Sequence, residues 1–434
     1  MGKSLQANPK QSRSRGWLAL AISIVGICVA VGGGMAFVSR WQPFLSPEQK
    51  QINDQFEKAH LDNALNILLL GTDIVASAKG NARNWHPPTN SFNGRSDTML
   101  LIHFDPSASQ VNVISIPRDT RTLIPGHGAH KINVANVYGG PVLAAQTVTN
   151  LVGAPINRYV RINPQGVIEL IDALGGVTVY IPKAMHYRDD SQHLYIDLPQ
   201  GLHTLSGLQA QQYLRFRADE LGDIGRVQRQ QALLRALADR AVKPETLVKI
   251  GDILNVVKKN IDTNLSIEDI FALAKFAKGI DIKKDLRMVM LPGRFSRPHE
   301  YEVSYWIPQT EVAASLGARF FGAPTPENAL PALTPATMHV SIQNATGRPK
   351  MARQLGELLA KQGFKHIAFT NDRPDPIWST EIVAQKGNID AAQLISDTLK
   401  IGVIKVDATG SLQSDVTVRL GKDWLKYLEE GNKK

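Results

Sequence analysis

Three largely apolar stretches stand out in the first third of the chain. They predict β-strands at residues 66–70, 97–104 and 111–116. A strand that is apolar along most of its length is typical of a sheet covered on both faces, because a half-solvated strand would alternate apolar with polar residues. We therefore expect these strands to form the centre of a buried sheet.

Apolar residues at helical spacing follow the first strands. They predict helices at residues 142–151, 165–174, 245–259 and 266–278, with further strands at 177–181 and 286–291. Ser266 and Asp269 have the spacing of a capping box at the start of the last of these helices. Strands that alternate with helices are typical of an α/β sandwich.

The N-terminal region contains an uncharged apolar run at residues 17–38, which is long enough to cross a bilayer. Because basic residues precede the run, the positive-inside rule places the N-terminus in the cytoplasm and the rest of the chain outside. We expect a basic cytoplasmic tail at 1–16, a transmembrane helix at 17–38 and a tether at 39–61. A cleaved signal peptide is the alternative, although the run is longer than a usual signal-peptide core.

A proline-rich segment at residues 322–336 predicts a linker between two domains. The larger domain is expected at 62–321. A smaller α/β domain is expected at 337–425, with strands at 338–342, 381–383 and 416–420 and helices at 351–362 and 390–400. The sequence of the smaller domain contains no cluster of residues suited to catalysis.

The overall charge limits the classes of partner. The formal net charge is +10, but four basic residues lie in the N-terminal tail, and without them it falls to +6. One localised anion site accounts for that excess as well as a nucleic-acid surface would. The single cysteine, Cys28, excludes an intramolecular disulfide framework and a cysteine-rich zinc site.

Arginines are concentrated at residues 213–236. Arg215 and Arg217 alternate with apolar residues and predict a strand with both guanidinium groups on one face. Arg226 and Arg229 lie three apart at the start of a predicted helix and share a face. Guanidinium groups suit phosphate oxygens, so this segment predicts a polyanion site. The alternative is a solvated face in which the arginines pair with nearby carboxylates, those of Asp219, Glu220, Asp223 and Asp239.

Carboxylates and further basic residues lie at the predicted strand ends. Asp73 follows the first strand and Asp97 opens the second, so neighbouring strands would bring two oxygen ligands for Mg²⁺ or Mn²⁺ to one sheet edge. Each aspartate can instead be a turn or capping residue. Arg118 and Asp119 directly follow the third strand, where α/β proteins commonly bind ligands, and Lys131 follows in the next loop.

Other kinds of site have weaker support. His127 and His130 lack further ligands at metal spacing. The sequence has no glycine-rich phosphate loop that ends in Lys-Ser/Thr, and it has no serine nucleophile elbow. What remains is a metal-and-arginine site, which is the arrangement that phosphoryl transfer requires.

Six short blocks now point to a known family. They lie at residues 71–73 (Gly-Thr-Asp), 95–98 (Arg-Ser-Asp-Thr), 117–120 (Pro-Arg-Asp-Thr), 131–133 (Lys-Ile-Asn), 213–217 (Tyr-Leu-Arg-Phe-Arg) and 225–231 (Gly-Arg-Val-Gln-Arg-Gln-Gln). In this order the blocks resemble the LytR-CpsA-Psr family of cell-wall glycopolymer transferases, over residues 66–236. The small domain resembles the accessory C-terminal domain often attached to that family.

The resemblance implies a fold and a set of site residues. The fold is a three-layer α/β sandwich with a central mixed sheet, preceded by one transmembrane helix and followed by a small α/β domain. Asp73 and Asp97 are the expected ligands of Mg²⁺ or Mn²⁺. The expected catalytic residues are Arg118, Asp119, Arg215 and Arg217. The expected pyrophosphate-binding residues are Arg95, Arg118, Lys131, Arg215, Arg217, Arg226, Arg229 and Gln230. Ile74 and Val75 stand where the family usually has an arginine, so Asp97 is better supported as a ligand than Asp73.

The resemblance also implies an activity. We expect a phosphotransferase, anchored by one span in the cytoplasmic membrane with its catalytic domain outside. It would move a glycan phosphate from a polyprenyl-pyrophosphate carrier to a peptidoglycan hydroxyl, with the muramyl 6-hydroxyl as the expected acceptor, and release polyprenyl phosphate. Membrane, carrier-linked glycan and peptidoglycan are the expected partners, and nucleic acid is not. The alternatives are a non-catalytic receptor or scaffold for lipid-linked glycans and a pyrophosphatase that uses water. The general base stays open among Asp97, Asp119 and Asp223.

Overall fold

The computed structural model describes most of the chain after residue 63. The described residues are 64–72, 92–190, 194–216, 222–241, 250–266, 269, 272–273, 276, 280–326, 332–370, 372, 376–411 and 413–431. The expected transmembrane segment, Asp73 and Arg217 therefore lie outside them. Within these ranges no helix combines the length and apolar character needed to cross a bilayer. The membrane span stays a prediction.

The larger domain contains both strands and helices. Its strands are β1 (Leu65–Thr72), β2 (Ser96–Asp105), β3 (Gln110–Ser115), β4 (Arg121–Ile124), β5 (Gly128–Lys131), β6 (Arg158–Ile162), β7 (Val177–Ile181), β8 (Met185–Asp189), β9 (Leu194–Leu198), β10 (Gly201–Leu205), β11 (Ile261–Thr263), β12 (Leu286–Met290), β13 (Gly293–Phe295) and β14 (Trp306–Pro308). Its helices include α1 (Ala135–Val152), α2 (Pro164–Ala173), α3 (Gly207–Arg215), α4 (Gly222–Ala241), α5 (Ile250–Asn260), α6 (Ile282–Asp285) and α7 (Thr310–Phe320).

Six of these strands form the central sheet, in the order β11-β6-β1-β2-β3-β12. The pairs β1/β6 and β3/β12 are parallel, whereas β1/β2, β2/β3 and β6/β11 are antiparallel. The sheet is therefore mixed. As a consequence β1, β3, β6 and β12 all run in the same direction, and their carboxyl ends lie along one edge of the sheet.

Both faces of the sheet are covered. Leu68 and Leu70 of β1 belong to a core that includes residues of α1 and α7. Ile67 and Leu69, on the opposite face, belong to a second core with residues of α2, α4 and α5. Adjacent residues of one strand enter different cores because side chains alternate across a sheet. The predicted mixed α/β fold with a central mixed sheet is confirmed.

Most predicted elements of this domain are present, with small shifts at their ends. The three apolar strands are extended or displaced by no more than two residues at either end. The helix predicted at 142–151 is the second part of α1, which begins at Ala135 and is interrupted at Gly139 and Gly140, just before Pro141. The Ser266–Asp269 capping box is confirmed: the Ser266 N–H donates to Asp269 Oδ2 (3.0 Å), and the Asp269 N–H donates to Ser266 Oγ (3.1 Å).

The strand predicted around Arg215 is wrong. Arg215 is the last residue of α3, and Phe216 is its C-cap. The helix begins with a capping box between Ser206 and Gln209 and buries residues at helical spacing, including Ala210 and Tyr213. The alternation of apolar residues with arginines mimics a strand. Leu214 and Arg215 instead form the last turn of a helix that starts after the capping residue Ser206.

The smaller domain has a five-stranded sheet of its own, in the order β16-β15-β19-β17-β18. Its elements are β15 (His339–Asn344), α8 (Met351–Lys361), β16 (His366–Phe369), β17 (Glu381–Ala384), α9 (Ile389–Leu399), β18 (Val403–Val406), β19 (Val416–Leu420) and α10 (Asp423–Gly431). The sequence predicted β15, α8, β17, α9 and β19 but not the remaining three. The two sheets approach at their edge strands, where Met288 of β12 forms a β-bridge with Asp407. Asp407 also accepts a hydrogen bond from Arg235 Nη2 of α4 (2.8 Å).

Candidate active site

Charged side chains gather where the parallel strands of the central sheet end. Arg118 follows β3 and places Nη1 3.0 Å from Oδ2 of Asp97, which lies near the start of β2. Arg118 Nε is 3.5 Å from Asp119 Oδ2, and Lys131 Nζ is 2.7 Å from Asp119 Oδ1. Two cations and two carboxylates thus form one continuous cluster, which we call the edge cluster. The sequence predicted all four as site residues.

Backbone hydrogen bonds hold the edge cluster in place. The turn after β3 is closed by the Thr120 N–H, which donates to the Pro117 carbonyl (3.0 Å), and by the Thr120 hydroxyl, which donates to the same oxygen (2.6 Å). The β4–β5 hairpin then returns the chain, and the Ile132 N–H donates to the Thr120 carbonyl (2.8 Å). Lys131 is brought back beside Asp119 because it ends this hairpin.

The edge cluster is within reach of solvent. The side chain of Asp97 is 34% exposed, that of Lys131 31%, and those of Arg118 and Asp119 20% each. Each charge is balanced by a neighbour, yet a ligand can still contact the cluster from outside. A phosphate group entering here would meet a guanidinium and an ammonium group, while the carboxylates could accept a proton or contact a metal ion.

Helix α4 contacts strand β2 beside the edge cluster. Gln230 Nε2 donates a hydrogen bond to Oγ1 of Thr98 (2.9 Å), and Thr98 is the neighbour of Asp97. Gln230 is thereby tied to the strand that carries the edge cluster. Its predicted role in pyrophosphate binding stays a prediction.

The Arg229 side chain is directed toward the end of α3. Its side chain is 6% exposed, its Nη2 donates to the Phe216 carbonyl, and its guanidinium carbon lies 5.6 Å from the centroid of the Phe216 ring. These contacts tie the end of α3 to α4. Its neighbour Tyr213 is also buried, and burial raises the pKa of Tyr213 to about 12, so that phenol stays protonated at neutral pH.

The remaining predicted residues lie at exposed positions or outside the described residues. Arg95 is exposed immediately before β2, and Arg215 is exposed at the end of α3. Asp73 and Arg217 lie outside the described residues, and so does the side chain of Arg226. Among the described residues, which exclude Asp73, no group of three or more His, Cys, Asp or Glu side chains is arranged to hold a metal ion.

Two arginines of β6 with buried carboxylate partners were not predicted from the sequence. Arg161 Nε donates to Oδ2 of Asp262 (2.6 Å), and Arg158 Nε donates to Oδ2 of Asp269 (2.6 Å). Near Arg161, Asn136 Nδ2 donates to the carbonyls of Phe92 (2.8 Å) and Gly94 (2.7 Å), which fixes the chain just before Arg95. The available signal was a pair of arginines separated by Tyr159 and Val160 in an otherwise strand-like stretch.

Comparison with family models gives two matches. Residues 43–319 match the LytR_cpsA_psr family, and residues 337–424 match a second model described as LytR cell envelope-related transcriptional attenuator. The first match covers more than half of the chain and includes every residue of the edge cluster.

Curated relatives carry the name polyisoprenyl-teichoic acid–peptidoglycan teichoic acid transferase TagU. The protein from Oceanobacillus iheyensis is 36% identical over 232 residues, which is 52% of this chain and 65% of the relative, slightly less than two thirds of its length. The protein from Bacillus anthracis is 32% identical over 254 residues, which is 58% of this chain and 77% of the relative.

Solved structures with a related fold include B. subtilis TagV. That structure has a TM-score of 0.50 and 26% identity, and the match covers 60% of this chain and 98% of TagV. Protein gbs0355 from Streptococcus agalactiae has a TM-score of 0.53 at 22% identity and covers 62% of this chain and 91% of that protein, which supports the fold alone.

Proposed function

The chain belongs to the LytR-CpsA-Psr family, and on that premise we propose that it transfers a glycan phosphate from a polyprenyl-pyrophosphate carrier to a hydroxyl group of peptidoglycan. The names of its relatives support a polyprenyl-linked donor and a peptidoglycan acceptor, with teichoic acid as the glycopolymer in those proteins. The edge cluster is the observation that carries the proposal for this chain, because it combines phosphate-binding cations with carboxylates at a solvent-accessible strand edge.

The proposed reaction is a substitution at phosphorus. The acceptor hydroxyl oxygen forms a bond to the phosphorus that carries the glycan, and the bond from that phosphorus to the bridging oxygen breaks. Polyprenyl phosphate leaves, and the hydroxyl proton passes to a carboxylate. Asp97 and Asp119 are the eligible proton acceptors in the edge cluster, while the side chain of Asp223 lies outside the described residues.

Arg118 and Lys131 stabilise the negative charge on the phosphoryl oxygens in the proposed reaction. Phosphoryl transfer depends mainly on positioning and on neutralising charge at the phosphoryl oxygens. Arg118 Nη1 donates a hydrogen bond to Asp97, and Arg118 Nε lies 3.5 Å from an oxygen of Asp119, so the guanidinium group is already positioned before the donor binds. Lys131 is fixed by Asp119 on the other side of the cluster.

We further propose that Asp97, with Asp73, holds Mg²⁺ or Mn²⁺ in the loaded enzyme. A carboxylate that is one-third exposed at a strand end fits this role, since Mg²⁺ is commonly bound by one or two carboxylates together with substrate phosphates and water. The ion would supply Lewis-acid neutralisation of the phosphate oxygens.

The membrane anchor at residues 17–38 and the extracytoplasmic location are also part of the proposal. Both rest on the charge pattern of the N-terminal sequence and on the substrates proposed above. A reporter that is active only after secretion, fused behind Lys434, is expected to be active. Activity of a cytoplasm-dependent reporter at that position would contradict this location.

The test of function uses the full chain in detergent with a polyprenyl-pyrophosphate oligosaccharide, Mg²⁺ and soluble peptidoglycan fragments. We expect an oligosaccharide-phosphate-peptidoglycan conjugate and an equal amount of polyprenyl phosphate. Oligosaccharide phosphate in solution, with no conjugate, would instead identify a pyrophosphatase. Tight binding of the donor without any product would identify a receptor. The Arg188→Ala variant is a suitable control, because Arg188 is an exposed arginine paired with Asp190 on a separate hairpin.

A further inference from the structure

A surface of two tyrosines and two cations continues directly from the edge cluster. The rings of Tyr301 and Tyr305 lie edge to face, with centroids 5.2 Å apart. The guanidinium carbon of Arg121 is 4.9 Å from the centroid of Tyr301 and 5.9 Å from that of Tyr305. Lys131 Nζ, already bonded to Asp119, is 5.7 Å from the Tyr305 centroid. We call Arg121, Lys131, Tyr301 and Tyr305 the tyrosine surface.

Strand pairing places both cations on one side of the β4–β5 hairpin. Arg121 is directly opposite Lys131 in the antiparallel register, so the two side chains share a face. Leu123 is two residues along β4 on that same face and is 68% exposed. Ile124 points the other way and is fully buried. The hairpin thus presents its charged face outward, next to the reacting groups.

The tyrosines are held by an ordered segment that is itself attached to the edge cluster. The Trp306 N–H donates to the Asp119 carbonyl (2.9 Å), and the Ser296 N–H donates to the Tyr305 carbonyl (2.8 Å). Arg294 donates two hydrogen bonds of 2.8 Å to Glu300, the residue before Tyr301. Hydrogen bonds from Arg294 lower the pKa of Glu300 to about 2, so this pair remains charged at neutral pH. The rings are therefore positioned before a ligand arrives.

The charge of Arg121 is satisfied in an unusual way. No carboxylate in the described part of the chain forms a salt bridge with it, and its guanidinium group lies against the two tyrosine rings. A guanidinium group held on aromatic rings keeps N–H donors for a ligand, and its planar fork suits a carboxylate. The tyrosine surface thus offers an aromatic platform and an anion-binding group together.

The tyrosine surface suits the peptidoglycan acceptor better than the lipid-linked donor. Peptidoglycan fragments combine sugar rings, whose C–H faces pack on aromatic side chains, with carboxylates on their peptide portions. The acceptor hydroxyl must also approach a carboxylate base, and Asp119 adjoins the tyrosine surface through Lys131. An open surface suits a polymer, and the flanking Leu123 and Val303 are more than half exposed.

We propose that the tyrosine surface is the subsite for the acceptor, a carboxylate-bearing glycan, and that it directs an acceptor hydroxyl toward Asp119. This inference rests on the proposed function, and it assigns the acceptor side of the same site. Tyr301 and Tyr305 support the sugar rings, and Arg121 binds a carboxylate of the acceptor.

The test compares Tyr301→Ala and Arg121→Met with a matched control. Tyr195→Ala removes a tyrosine that also lies under an arginine, since the guanidinium carbon of Arg188 is 5.4 Å from its ring centroid on the β8–β9 hairpin. For each variant, KM for a soluble peptidoglycan oligosaccharide, KM for the lipid-linked donor and kcat are measured on the full chain. We expect the acceptor KM to rise about 3- to 10-fold in the two test variants, with donor KM and kcat unchanged. Tyr195→Ala should match the parent, and Tyr301→Phe, which keeps the aromatic ring, should raise the acceptor KM less than Tyr301→Ala.

Equilibrium binding of the peptidoglycan oligosaccharide without donor separates this inference from the proposed function. Binding that weakens in both test variants supports the subsite, even if the parent forms no conjugate and the proposed function fails. Equal binding by parent and variants overturns the subsite. A rise in donor KM in place of acceptor KM also overturns it, because the surface would then hold the donor glycan. Melting temperatures are followed throughout, and Arg121→Met carries the test if Tyr301→Ala does not fold.

Discussion

The central sheet carries two groups of arginine–carboxylate pairs that differ in burial. In the edge cluster, Arg118, Asp97 and Asp119 are each 20–34% exposed. In the pair formed by Arg161 of β6 and Asp262 of β11, the side chains are 9% and 7% exposed. The second buried pair, Arg158 with Asp269, has exposures of 12% and 5%. Each group includes at least one residue on a strand of the central sheet, and both use the same residue types.

Burial, and not residue type, is therefore what distinguishes the two groups. Asp262 accepts hydrogen bonds from Arg161 and from the Tyr159 hydroxyl (3.4 Å). Burial raises the pKa of Tyr159, so this phenol stays a hydrogen-bond donor. Asp269 binds Arg158 and also caps its own helix at Ser266. These carboxylates are occupied inside the protein, whereas those of the edge cluster can be reached from solvent.

The largest effect on stability is expected from the buried pair. Asp262→Ala leaves the Arg161 charge in the interior, and the loss of one partner of a buried ion pair costs about 3 to 5 kcal/mol. Urea or thermal unfolding should show this loss of unfolding free energy. A destabilisation below about 1 kcal/mol, typical of exposed pairs, would remove the distinction between the two groups.

Removal of a cation from the edge cluster should act on catalysis. Lys131→Met keeps most of the apolar stem and removes the charge at Asp119 and at the phosphate. A charge-assisted hydrogen bond is worth about 1.5 to 3 kcal/mol, so transfer efficiency should fall about 10- to 150-fold. Stability should change by less than about 1 kcal/mol. Normal turnover in this variant, measured as polyprenyl phosphate release, would argue against a role for Lys131.

A smaller effect is expected at Gln230. Gln230→Ala removes a neutral hydrogen bond to Thr98, and such bonds contribute about 0.5 to 1.5 kcal/mol. Transfer efficiency should fall about 2- to 12-fold because Thr98 adjoins Asp97. Gln228→Ala on the same helix provides the comparison. If both variants lower turnover equally, the effect belongs to the helix in general and not to the Gln230–Thr98 contact.

The smallest effect concerns pH. Burial lowers the pKa of His103, whose Nδ1 donates to Asn66 Oδ1 (2.7 Å). Below its ordinary pKa of about 6.5, the unfolded chain therefore binds more protons at this site than the folded chain, and stability falls as pH decreases. The unfolding free energy should decline from pH 7.5 to 5.5 less steeply in His103→Gln than in the parent. Equal slopes would show that this buried group does not contribute.

Much of the fold could be predicted because the central strands are buried on both faces. The apolar run at residues 67–70 marks β1, and Val111, Val113 and Ile114 mark β3. The sequence did not predict α3 because its final turn mimics strand alternation, and the capping box that marks its start lies further back, at Ser206 and Gln209. The spacing of apolar residues predicted the element type correctly only where the same spacing extended over the whole strand or helix.

The site was predictable in part. Asp97, Arg118, Asp119 and Lys131 lie near strand or hairpin ends, and the sheet edge brings such ends together. The buried contacts of Arg229 and Arg161 could not be predicted from the sequence, because their partners, Phe216 and Asp262, are 13 and 101 residues away. The contribution of Tyr301 and Tyr305 likewise depends on tertiary contacts with Arg121.

One measurement tests the central claim most directly: polyprenyl phosphate release by Arg118→Ala at saturating Mg²⁺, with melting temperature followed in parallel and Arg188→Ala as the control. Arg118 connects Asp97 and Asp119, so we predict a loss of about 10- to 150-fold in transfer efficiency with a melting temperature close to that of the parent. Arg188→Ala should leave both unchanged. A folded Arg118→Ala protein that turns over like the parent would contradict the assignment of the edge cluster as the active site.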